Sequence, residues 1–400
     1  VKHALCAGAV SLLLTLPSLA RASFDYGVIG YVDVADTFAG SPNSQLGAFP
    51  SINNVGQVTF TSLASGVEHL YIAPGSPGVP VNIADLDNGY MAFTTVTLNN
   101  NGTAVFGARY SSGPNASTSG LFTSNGGAVS TIADATTSVR PYFSGGTPRI
   151  NDSGEVSFVG SNSTQVIASR TGDTFSTVVT NDGHQFEFLY DDALNSAGQV
   201  AFNTDDYING SNNGAFVYRS TPGVGMVTIS RAASTTSVGI NDNGVVAFQA
   251  AGGPGNPTLG LFTSDGATTT HISDIHQNLP GTSILIDSYA ANGEGTPINN
   301  SGLVAFQASD NAFANYGIYV GDGTNTTNII HLGQTLFGKT VNGFELGRDA
   351  INDSGQITFW VSFTDNTSAI VRTTGVPEPA TALLALPGGL ALLRRRRHTT

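Results

Sequence analysis

Ile351-Asn352-Asp353-Ser354-Gly355-Gln356-Ile357-Thr358-Phe359 is the stretch that decides the fold, because its frame occurs seven times. Asparagine recurs at Asn53, Asn99, Asn151, Asn195, Asn241, Asn299 and Asn352, each time after an aliphatic residue. Glycine follows three residues later, at Gly56, Gly102, Gly154, Gly198, Gly244, Gly302 and Gly355. Phenylalanine comes four further on, at Phe60, Phe106, Phe158, Phe202, Phe248, Phe306 and Phe359. Successive asparagines are 44 to 58 residues apart. A repeat of that length marks stacked supersecondary units.

Each position has a physical reason. Asparagine at the start of a type I turn folds its side chain back onto the backbone, and glycine suits the fourth position. The chain then leaves as a strand, so residues two apart, such as Val58 and Phe60, share a face. The residue between them is small in most copies: Thr59, Ser157, Ala201, Ala247, Ala305 and Thr358, with Val105 the largest. A sheet with one bulky and one shallow face is built to stack against copies of itself, a phenylalanine filling the hollow over a small residue.

Between phrases the same order returns. A second strand is expected at 120–124, 260–264 and 317–320. Asn125-Gly126, Asp265-Gly266 and Asp322-Gly323 follow, and such dipeptides are strong hairpin signals. A third strand is expected at 129–132 or 268–272, and a weaker fourth run before the next phrase, as at 93–97 and 186–190. Four strands per unit predict an all-β, seven-bladed β-propeller. The alternative is a β-solenoid, whose units are usually shorter and which needs capped ends. The seventh unit runs out after strands at 356–363 and 369–373. Residues 26–34 are therefore expected to complete the last blade, since an open ring leaves an unpaired sheet edge.

Composition agrees. The chain has 11% charged residues and 49 glycines in 400, as an all-β protein rich in turns requires. Residues 23–375 hold 9 basic and 27 acidic residues, so this body carries 9 − 27 = −18. Such a surface repels nucleic-acid phosphate. The single cysteine, Cys6, lies in the leader, which leaves the body without disulfides, thiolate metal sites or cysteine nucleophiles.

The two ends differ from the body. Residues 1–22 read as a signal peptide, with Lys2 and His3, an apolar run at 4–16 and Ala20-Arg21-Ala22 before Ser23. Residues 376–400 open with Val376-Pro377-Glu378-Pro379, continue through a short apolar segment at 380–393, and reach Arg394 to Arg397. The segment is shorter than the roughly 20 residues of a spanning helix. This tail resembles the PEP-CTERM sorting signal, and the repeats resemble the NxxGxxxF tandem-repeat proteins found with variable anchors. The resemblance implies export by a Gram-negative bacterium that makes exopolysaccharide, with signal peptidase and an exosortase-like processing enzyme as partners. It also implies contact with the membrane through the tail alone. It implies no activity for the body.

The chemistry of the body is sparse. His69, His184, His271, His276 and His331 follow no HExxH spacing. Acidic pairs occur at Asp191-Asp192 and Asp205-Asp206, and three turns carry Asp152, Asp242 and Asp353. Asn241-Asp242-Asn243-Gly244 looks superficially like a calcium loop but lacks the alternating ligands and distal glutamate of an EF-hand. Calcium therefore stays a minor alternative to no cofactor. The Asp-x-Gly fragments resemble sialidase Asp-boxes, without the arginine cluster such an enzyme needs. No GxSxG elbow, P-loop or paired glycosidase carboxylates stand out. The expectation is a secreted, envelope-anchored repeat protein with a structural or adhesive role in the cell surface or exopolysaccharide matrix, and no hydrolase activity. The alternative is a carbohydrate-binding or polysaccharide-modifying propeller, which would show an aromatic platform or convergent carboxylates at one mouth of its channel.

Overall fold

The computed structural model describes residues 26–374, apart from 33–44, 48, 65–66, 76–78, 86–89, 114–115, 143–147, 184–185, 187, 209–210, 254–255, 290–294 and 311–314. The leader, its cleavage site and the sorting tail lie outside the described residues. Seven antiparallel sheets, each built on four strands, form a ring, a seven-bladed β-propeller. Blade four is the plainest, with Phe188–Leu194, Val200–Ile208, Ser211–Thr221 and Gly225–Ala232 in sequence order from the channel outward.

The phrase is the tight turn between the two innermost strands of a blade. Asn195 lies between Phe188–Leu194 and Val200–Ile208, and Leu194 faces Val200 across the turn. The run that seemed to end one unit is thus the first strand of the next blade. Each turn closes with a hydrogen bond from the glycine N–H to the asparagine carbonyl, 2.9–3.1 Å in all seven copies. The seven glycines have φ between +70° and +85°, a conformation that side chains disfavour.

This phasing leaves only one strand missing from blade seven, not two. Its innermost strand is Lys339–Ile351, before the phrase, followed by Ile357–Phe363 and Ser368–Thr373. Tyr26–Val32 supplies the fourth, antiparallel to Ser368–Thr373, with Tyr26 opposite Thr373 and Val28 opposite Val371. The strand is the one expected from the sequence, and it closes the ring.

Innermost strands come in two kinds, for a reason written in the sequence. Tyr90–Leu98, Phe188–Leu194, Ser234–Ile240 and Lys339–Ile351 contain no proline and run unbroken. Blades one, three and six carry Pro50, Pro148 and Pro297 there, and their inner runs break into two-residue pieces or single bridges. Proline cannot donate to the ladder. Crowding around the axis demands small residues elsewhere. A Cβ on Gly239 or Gly347 would stand 2.0 Å from the Thr296 or Pro50 carbonyl oxygen of the next blade.

The core lies between blades. Phe60, Phe106, Phe158, Phe202, Phe248, Phe306 and Phe359 are at most 4% exposed. The small residue of one blade packs into the cluster around the phenylalanine of the next: Ala201 with Phe248, Ala247 with Phe306, Ala305 with Phe359, and Val105 with Phe158. No helix among the described residues is long and apolar enough to cross a membrane.

Candidate functional site: the channel and its two mouths

The seven turns meet at one mouth of the channel, where they form a closed circuit of hydrogen bonds. The Asn53 amide donates to the Asn99 carbonyl (2.8 Å), and each asparagine does the same to the next, until Asn352 donates back to Asn53 (3.0 Å). Each Oδ1 meanwhile accepts the backbone N–H four residues on, at 2.8–3.0 Å. A second circuit lies outside the first. Asn54, Asn100, Asp152, Asp242, Asn300 and Asp353 accept the backbone N–H of the preceding blade at 2.7–2.9 Å. Ser196 is too short to continue it. Burial pushes the Asp242 carboxyl up, but hydrogen bonds from Asn300 and Ser196 outweigh it and hold the group below its ordinary value. The oxygens of the turn aspartates are thus taken by amides of the rim itself. Asn300 alone donates to both Asp242 (3.0 Å) and Asp353 (2.8 Å).

These circuits surround a cavity of about 160 Å³ at the mouth of the channel. Its collar is the aliphatic residue before each asparagine, from Ile52 to Ile351, and Arg149, Arg348 and Asp349 also line it. Two ion pairs cross the channel here. Arg149 of blade three donates to Asp349 of blade seven, and Arg348 of blade seven meets Asp191 of blade four at 2.5 Å. Asp192 lies beside them, fully buried, accepting a bond from Ser157 (2.5 Å) through Oδ2 while Oδ1 has no hydrogen-bond partner. Burial pushes its carboxyl up to about 6, and the Ser157 bond offsets part of that rise. A carboxyl in such a place favours its neutral form.

The opposite mouth is different. Phe188 and Tyr190 stand at the far end of the innermost strand of blade four, 44% and 45% exposed. Their rings are nearly parallel, 24° apart with centroids 6.1 Å apart. A β-bulge shifts the register between Leu189 and Asp191, and bulges re-aim side chains in this way. The Tyr190 hydroxyl donates to Asp205 at 2.7 Å. Tyr142, 42% exposed, follows the first piece of the inner run of blade three.

Among the described residues the histidines are not brought together. His69 pairs with Asp85, His271 with Asp274 (2.9 Å) and His276 with Asp287 (3.0 Å), while the His331 ring nitrogen contacts the Leu332 carbonyl (2.8 Å). His184 lies outside the described residues. Among the described residues no three His, Cys, Asp or Glu side chains are grouped to hold a metal ion. Sequence reasoning missed Arg149, Arg348 and Asp349. Aligning the units on their asparagines exposes the signal: the residue three before it is Pro50, Val96, Pro148, Val238 or Thr296 in five blades, but Asp192 and Asp349 in the other two. It also passed over Phe188 and Tyr190 as a platform, since an extra aromatic in a strand looks like core until its exposure is known.

Neither a known family pattern nor a curated protein matches the chain. Solved structures with this fold do. The β-propeller domain of the Trilobed protease from Pyrococcus furiosus, which has an open velcro topology, superposes with a TM-score of 0.55 at 10% identity, over 82% of this chain and 96% of that one. Oligogalacturonate lyase in complex with manganese gives 0.55 at 11%, over 89% and 99%. A prolyl endopeptidase gives 0.53 at 13%, over 84% of this chain, which spans 50% of its length. At these identities the likeness is one of fold alone.

Proposed function

We propose that this protein is a carbohydrate-binding propeller displayed at the cell surface, which holds matrix polysaccharide through the mouth opposite the turns. The Phe188–Tyr190 pair carries the reading. A pyranose ring has an apolar C–H face and a hydroxyl edge. Exposed aromatic rings bury the first and make weak C–H contacts with it. The Asp205 carboxylate beside them is an acceptor of charge-assisted strength for the second. Both rings sit on an innermost strand, and sites carried by strands hold their geometry better than sites on loops.

The reading is of a binder and not of an enzyme. Asp192 is sealed from solvent, and Asp191 and Asp349 are committed to arginines. Display at the surface is supported by the leader at 1–22 and the sorting-type tail at 376–400, with signal peptidase and an exosortase-like enzyme as processing partners. An adhesive role in the matrix follows from the binding. The test is a glycan array and pull-down of exopolysaccharide with the full chain. Phe188→Ala with Tyr190→Ala should weaken binding roughly tenfold or more, about 1.4 kcal/mol, with the thermal midpoint unchanged. A parent chain that retains no glycan refutes the reading.

A further inference from the structure

We infer that the face carrying the seven turns rests on a lipid bilayer, so that the aromatic mouth points away from it. The inference rests on the display reading above and adds an orientation and a contact surface. Three observations carry it.

The chain enters and leaves the ring on that face. Thr373 is opposite Tyr26 in the closing pair, and its hydroxyl accepts the N–H of Ile357, the second residue after the turn glycine Gly355. Its neighbour Arg372 donates to the carbonyl of Gly56, in the turn of blade one. The segment with the apolar run at 380–393 therefore starts from the turn face. Six residues separate Thr373 from that run, a reach of about 20 Å at most.

Apolar side chains are exposed on the same face. In blade one, beside the exit, Val55 of the turn is 59% exposed, and Val79 and Val81 are 85% and 51% exposed. Val55 and this hairpin lie together, since a Cβ on Gly75 would stand 2.0 Å from the Val55 carbonyl oxygen. In blade four, three blades round the ring, the hairpin from Ser211–Thr221 to Gly225–Ala232 turns on this face and exposes Val224 (81%), Met226 (38%) and Val227 (40%). Two apolar prominences set apart on one face let a disc lie flat on an interface, as a single one would not. Short apolar side chains of this kind enter the boundary between headgroups and acyl chains.

Charge selects the lipid. The body carries 9 − 27 = −18, and of its acidic residues Asp152, Asp242 and Asp353 sit at the centre of the turn face. An anionic leaflet would repel it. The matching surface is a zwitterionic one.

The test uses the full chain with Cys6→Ser and one cysteine at a time, Val79→Cys, Val224→Cys or, on the opposite face, Phe337→Cys. Each is labelled with an environment-sensitive fluorophore and mixed with phosphatidylcholine vesicles. A second form ending at residue 375 is run beside it. The expected result is a blue-shifted emission at positions 79 and 224 and none at 337, lost in the shortened form. A shift at 337 instead overturns the orientation. Flotation of the full chain with no shift at either face also overturns it, but leaves display through the tail standing. A full chain that does not associate with the vesicles overturns both.

Discussion

At the scale of the residue, the repeat uses asparagine because no other side chain does both jobs in that space. Its oxygen accepts an N–H from its own turn and its nitrogen donates to the carbonyl of the next blade. Aspartate keeps the first bond and sets a carboxylate against a carbonyl in place of the second. Asn195→Asp should therefore lower stability by about 1–3 kcal/mol or more at neutral pH. The folded-state pKa of that aspartate would be raised, so the penalty belongs to pH above it and should shrink as the pH falls and the group gains a proton to donate. Denaturant midpoints at pH 7 and pH 4 check this; an equal loss at both would contradict it. Phe248 is 1% exposed in a cluster shared with Ala201, and Phe248→Ala should cost about 3–5 kcal/mol by urea unfolding. The local turn was legible in the sequence, from Asn and Gly at fixed spacing. The circuit between turns was not, because it depends on carbonyls brought alongside only when the sheets stand in a ring.

At the scale of the element, the strands that govern the ring are the innermost ones and the last one. Prolines at 50, 148 and 297 explain which inner strands break, and the sequence carries that information plainly. The phase of the unit was harder to read, since a turn motif does not say which of its flanking strands opens a blade. Tyr26–Val32 was legible because a count of strands leaves the seventh blade short. Deleting residues 23–40 uncovers the edge of Ser368–Thr373 and removes the strand pairing that, among the described residues, joins the two ends of the ring. A closed ring is expected to lose stability as one cooperative unit, with a lower thermal midpoint for the whole far-UV transition. A truncated chain that melts at the parent temperature would contradict this.

At the scale of the whole molecule, the channel is a braced axle and not an open bore. Ion pairs from blades three and four to blade seven span it, and the buried Asp192 is adjacent. Its raised carboxyl makes the native state bind a proton that the unfolded chain has released between about pH 4 and 6. This part of the stability is present at acid pH and is lost as the pH rises through about 6. Asp192→Asn should remove it, so that the variant gains on the parent above pH 6, by roughly 3 kcal/mol at most. The difference between the two stability curves isolates it from the Asp242 carboxyl, whose shift runs the other way. A flat difference from pH 4 to 8 would contradict it. These charges were hidden in the sequence because each is a single departure from the repeat, and only folding sets blade three against blade seven.

Closure of the ring is the claim on which the channel, its mouths and the orientation all depend. It is tested most directly by a disulfide between Val28→Cys and Val371→Cys, in a chain whose Cys6 is replaced by serine, since these positions face each other in the closing pair. Under mild oxidation the folded protein is expected to form that cross-link within one chain, seen as the loss of two hydrogens in the intact mass and one joined peptide after digestion. Two free thiols in a chain that is demonstrably folded would place its ends apart and contradict the closed propeller.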